Sequence, residues 1–179
     1  MANNLMVKFI LNGEEAQAAV TTEMSLLALL KQLGMNSVKQ ACLEGECGAC
    51  TVIVDGDAMN SCLVLAASIE GKSVTTLEGI GSLEKMHPLQ VAFVETGATQ
   101  CGFCTPGFIM SAVALFDKNP DPTVDEIRYG LSGNLCRCTG YVRPVQAVEI
   151  AAKAMKAGDG AVDAVYKAVK AAHDDEFRR

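Results

Sequence analysis

Cys42-Leu43-Glu44-Gly45-Glu46-Cys47-Gly48-Ala49-Cys50 packs three cysteines into one short loop, and Cys62 follows it as a distant fourth. Four residues, then two, separate the first three cysteines, which is the plant-type [2Fe-2S] spacing. A cluster held by four thiolates is anionic, so such a loop must curl round it and aim backbone N–H groups at sulfur. Gly45 and Gly48 stand between the ligands, where they permit unusual φ and close approach. Zinc sites usually show two short-spaced pairs, whereas this loop offers three cysteines in nine residues. Spacing therefore favours iron-sulfur over zinc or a disulfide.

The other cysteines form a second quartet, Cys101-Gly102-Phe103-Cys104 with Cys136-Arg137-Cys138, so all eight fall into two sets with none left over. This quartet is less specific alone. It could serve zinc, or its first pair could be a redox dithiol. Its context helps, because Cys104-Thr105-Pro106-Gly107 and Cys138-Thr139-Gly140-Tyr141 each place thiolates just before a predicted helix. Helix N-termini stabilise negative charge. Two inward-pointing pairs from opposite helices would hold a cluster between them.

The bulk properties suit a protein of this kind. The 179 residues are enough for one ordinary domain or two small ones, and half are hydrophobic, so a core forms without disulfides. Six Phe, three Tyr and no Trp make that core aliphatic. A net charge of −6 argues against a phosphate-backbone partner. The N-terminal residues lack the pattern of a secretory signal, and the apolar runs are too short for a membrane span. A reducing, cytoplasmic setting is expected, where clustered cysteines are metal ligands more often than disulfides.

The chain changes character along its length. Val7, Phe9 and Leu11 share one strand face, Asn12-Gly13 signals a hairpin, and Ala16 to Val20 supply the return strand. Thr22 or Ser25 caps a helix running to Leu33 and stopped by Gly34. Thr51 to Val54 and Ala58 to Cys62 form a second hairpin about Asp55-Gly56. Beyond about residue 80 the pattern is helical. Pro88, Pro106 and Pro144 open helices, and Thr123 with Glu126 forms a capping box for another. The Gly-, Ser- and Thr-rich segment from Glu70 to Lys85 reads as a hinge. Val162, Val165, Tyr166 and Val169 mark an amphipathic C-terminal helix, expected to pack on its own domain. The expected fold class is α+β, with domains 1–78 and 79–157 and a helical extension 158–179.

The motifs CLEGECGACTV, QCGFCTPG and SGNLCRCTGY resemble those of the iron-sulfur subunit of molybdenum hydroxylases, the family of xanthine, nicotinate and carbon monoxide dehydrogenases, aldehyde oxidoreductase and 4-hydroxybenzoyl-CoA reductase. The similarity spans about residues 5 to 157. It implies a β-grasp ferredoxin-like domain followed by a four-helix domain, each with one [2Fe-2S] cluster. By this resemblance Cys101, Cys104, Cys136 and Cys138 bind a cluster proximal to a molybdopterin cofactor, and Cys42, Cys47, Cys50 and Cys62 bind a distal one nearer FAD. Gln100 matches a glutamine that hydrogen-bonds the pterin, and Cys138 a ligand whose sulfur contacts the pterin amino group. Ala41 departs from the family, which often has Gly there.

The implied partners are a large molybdopterin-binding subunit and a medium FAD-binding subunit, in a hetero-oligomer such as a dimer of heterotrimers. Electrons would pass from substrate oxidised on the large subunit, through this chain, to FAD. No nucleophile-base constellation is visible, so no catalytic residue is expected here. A purine or another N-heterocycle is the favoured substrate. The rival readings are a stand-alone two-cluster ferredoxin, which would not need Gln100, and a zinc-stabilised interaction module. His87 precedes Pro88 and reads as a surface or capping residue, and the absence of histidine from the cysteine motifs disfavours a Rieske centre.

Overall fold

The structure is a computed structural model, and it describes residues 5–176, with side chains to residue 172. Strands β1 (Leu5–Leu11) and β2 (Glu14–Val20) form the first hairpin. Asn12 takes φ +53, as a two-residue turn compatible with strand twist requires. Helix α1 (Leu26–Gln32) follows, capped by Ser25 Oγ, which accepts the Ala28 N–H at 3.2 Å. Strands β3 (Thr51–Val54) and β4 (Asp57–Asn60) form the second hairpin, with Asp55 at φ +50.

The segment read as a hinge is more than a connector. Ser73–Thr75 is a fifth strand, β5, and it sits in the middle of the sheet, whose order is β2-β1-β5-β3-β4. It pairs parallel with β1 and antiparallel with β3. Three residues with only Val74 fully buried leave no periodicity to read, so composition alone suggested a loop. The four buried leucines of α1 pack on Val7, Phe9, Val52 and Val74, closing the first core.

The second half holds α2 (Pro88–Glu95), α3 (Thr105–Lys118), α4 (Val124–Leu131), α5 (Val142–Met155) and α6 (Ala161–Glu176). Leu89, Phe93, Phe108, Ile127 and Val148 are its buried centre. Val165 and Val169 of α6 join that core, so the C-terminal helix packs on its own domain as its periodicity indicated. The side chains of His173, Asp174 and Asp175, and all of Arg178-Arg179, lie outside the described residues. Between the halves, Ile53 of β3 meets Met110 and Ala114 of α3 in a buried apolar contact. The architecture is α+β, a mixed sheet followed by helices. Among the described residues no helix is long and apolar enough to cross a membrane.

Candidate metal centres

The β3–β4 register places the end of the first cysteine loop. Thr51 pairs with Asn60, so Cys50 and Cys62, just outside the ladder, come together. Ser61 secures this corner, its Oγ and N–H both donating to the Cys50 carbonyl, at 2.8 and 3.2 Å. Cys42 and Cys47 approach each other across the loop, and their thiols are hydrogen-bonded. The expected curl is present, with N–H groups of Glu44, Glu46 and Cys47 turned to the Cys42 sulfur and the Glu44 contact 3.4 Å long. These donors, Glu44 first, lower the Cys42 thiol to about 6. Cys62 behaves oppositely, since burial and the neighbouring Cys50 push it up to about 11. Gly45 and Gly48 adopt φ +80 and +65, the left-handed region that favours glycine. Leu43 also adopts φ +62, a strained value for a leucine that the spacing did not signal.

The second quartet is gathered from the starts of α3 and α5. Cys138 Sγ lies 3.7 Å from Cys101 Sγ, and the Cys104 thiol is hydrogen-bonded to Cys136. Burial, then Cys136, pushes Cys104 up to about 12. For Cys136, burial acts upward but is outweighed by hydrogen bonds from Thr139, so its thiol is held below the usual range. Thr139 Oγ1 stands 3.1 Å and its N–H 3.5 Å from that sulfur. Tyr141, at φ +68, turns the chain into α5, and its hydroxyl accepts the Cys136 N–H at 2.9 Å. Cys101, Cys138 and Gln100 are exposed, while Cys104 and Cys136 lie deeper. The motif SGNLCRCTGY contains Thr139 and Tyr141, but nothing in the spacing marked them as partners of Cys136.

None of the eight cysteines is in a disulfide, and they lie in twos: Cys42 with Cys47, Cys50 with Cys62, Cys101 with Cys138, Cys104 with Cys136. Among the described residues, no three Cys, His, Asp or Glu side chains converge on one point as ligands of a single ion. Two pairs facing each other suit a binuclear group, in which each iron takes two thiolates. The donor set fits two such groups.

A mixed-sheet domain with a four-cysteine corner, joined to a helical domain with two cysteine pairs, defines a two-domain [2Fe-2S] protein. Residues 9–75 match the family described as "2Fe-2S iron-sulfur cluster binding domain", and residues 76–149 match "[2Fe-2S] binding domain". The chain is 49% identical to the nicotinate dehydrogenase small FeS subunit of Eubacterium barkeri, over 83% of this chain and 96% of that one. It is 48% identical to the xanthine dehydrogenase iron-sulfur-binding subunit of Escherichia coli O157:H7, over 82% and 94%. Among solved structures, quinoline 2-oxidoreductase from Pseudomonas putida 86 superposes with a TM-score of 0.83 at 38% identity, covering 88% of this chain and 99% of that one. The chain belongs to the iron-sulfur subunits of the molybdenum hydroxylases.

Proposed function

We propose that this chain is the electron-transfer subunit between a large molybdopterin-binding subunit and a medium FAD-binding subunit. Cys42, Cys47, Cys50 and Cys62 hold the distal cluster in this reading, and Cys101, Cys104, Cys136 and Cys138 the proximal one. When bound, the two [2Fe-2S] clusters supply a pair of one-electron carriers. The protein's own residues do the rest. Each thiol pair would supply two sulfurs to one iron, the donors on Cys42 and Cys136 would stabilise negative sulfur, and the domain contact sets the distance between the quartets.

One observation carries this reading. The two cysteine loops touch each other, through Leu135 N–H donating to the Cys47 carbonyl at 2.9 Å, while Cys101 and Cys138 stay exposed beside Gln100. A chain so built has an inner junction and an outer face, and Gln100 with Cys138 on that face is where a pterin would be met. Relatives named for nicotinate and xanthine support a purine or another N-heterocycle as substrate, oxidised on the partner.

Purification of the native protein tests it. The expected result is co-purification with a molybdopterin-containing large chain and a flavin-containing chain, with about four irons per copy of this subunit and a visible colour. An isolated iron-replete monomer would leave a stand-alone carrier and overturn the subunit reading. A colourless, zinc-loaded protein would overturn the clusters.

A further inference from the structure

Asn134 stands two residues before Cys136 and is 2% exposed, with both ends of its amide engaged. Its Oδ1 accepts Ser111 Oγ of α3 at 2.7 Å. Its Nδ2 crosses to the other domain, donating to the Gly48 carbonyl at 3.0 Å and lying 3.3 Å from Thr51 Oγ1. Thr51 Oγ1 in turn donates to Gly48 O at 2.7 Å. Asn60, on the paired strand, donates from Nδ2 to Gly45 O at 2.6 Å. The polar network thus runs from α3 into the loop that carries Cys42, Cys47 and Cys50. The next residue, Leu135, makes the 2.9 Å bond to Cys47 O.

Backbone packing at this point tolerates no side chain. A Cβ on Gly48 would stand 2.3 Å from Gly133 O and 2.5 Å from Asn134 Nδ2, and one on Gly107 would stand 2.3 Å from Gly48 O. The apolar and ionic contacts between the domains set no such register. The Ile53, Met110 and Ala114 contact is apolar and non-directional. The Lys118–Asp57 pair, 2.6 Å long, is exposed on both sides and contributes little. A buried amide is different, because it is satisfied in one alignment and costly in the others.

Resting on the reading that both quartets hold clusters, we propose that Asn134 is a positioning residue for electron exchange between them. It keeps Leu135 N–H on the Cys47 carbonyl, so that a ligand of one quartet and the residue preceding a ligand of the other share a hydrogen bond. The exchange moves one electron, oxidising one centre as it reduces the other, with no bond made or broken.

The test uses the full-length, iron-loaded chain, reduced with dithionite, as wild type, Asn134→Ala and Ser111→Ala. Two readouts apply: hydrogen exchange at the Leu135 amide, and the magnetic splitting between the two reduced clusters in electron paramagnetic resonance. In Asn134→Ala the Leu135 amide loses protection and the splitting diminishes, while each cluster keeps its own g-values. Ser111→Ala, which frees the amide to rotate, shifts both readouts the same way by less. An iron-replete Asn134→Ala chain with unchanged protection and splitting overturns the proposal. Should Asn134→Ala fail to load iron, Ser111→Ala decides alone, and unchanged readouts overturn it. A wild-type chain holding fewer than two clusters is a separate result, and it sinks the cluster reading instead.

Discussion

Thr139 directs two donors at one sulfur, its hydroxyl at 3.1 Å and its N–H at 3.5 Å from Cys136 Sγ. Hydrogen bonds to a cluster sulfur favour the more negative, reduced state and so raise the potential. Thr139→Val keeps the shape and the N–H but removes the hydroxyl. A lost bond of about 1 kcal/mol lowers a one-electron couple by roughly 40 mV. The expected outcome is that shift at the Cys136 cluster alone, read by redox titration of the two spectroscopic signals. Equal potentials in variant and wild type would remove Thr139 as a tuning residue. At this scale the two cysteine sets were legible, because cysteines in a fixed spacing have few other uses. The Thr139 contact was not, since a threonine beside a cysteine reads the same whether it faces sulfur or solvent.

Helix α2 shows how an element boundary acquires a pH dependence. His87 is its N-cap: Nδ1 accepts Leu89 N–H at 3.2 Å, and Gln90 Oε1 accepts His87 N–H at 2.8 Å. The acceptor role needs a neutral ring. Burial lowers the His87 pKa, against an opposing pull from Asp117. With the folded value below the ordinary one near 6.5, the contribution is complete above 6.5. It fades as pH falls from 6.5 towards the folded value, because the unfolded chain binds the proton first. His87→Asn keeps a capping acceptor and is expected to lose less stability than wild type over that interval, in thermal melts of the loaded chain. His87→Ala is expected to cost about 1 kcal/mol at pH 8. Melts of His87→Asn that track wild type at each pH would refute the titration. Prolines and the Thr123–Glu126 box marked most helix starts, since they act within one turn. α5 begins at Val142 rather than Pro144, because the Tyr141 turn, and not the proline, redirects the chain.

The whole molecule depends on a junction assembled from residues far apart in sequence. Met110, 1% exposed, fills the apolar contact between the domains. Met110→Ala is expected to cost about 2–5 kcal/mol, lowering the melting temperature of the loaded chain by roughly 5 °C or more. Leu65→Ala, at a 52% exposed position, should change it little. Equal losses in the two variants would contradict the packing described. The two cysteine sets, both hairpins, most of the helices and the family were legible in the chain alone, because spacing and capping are properties of short segments. Only the tertiary structure decided that Ser73–Thr75 completes the sheet, that the thiols associate in particular pairs, and that Asn134 bridges the domains. Each of these depends on burial and on partners tens of residues away, which chain-local patterns do not encode.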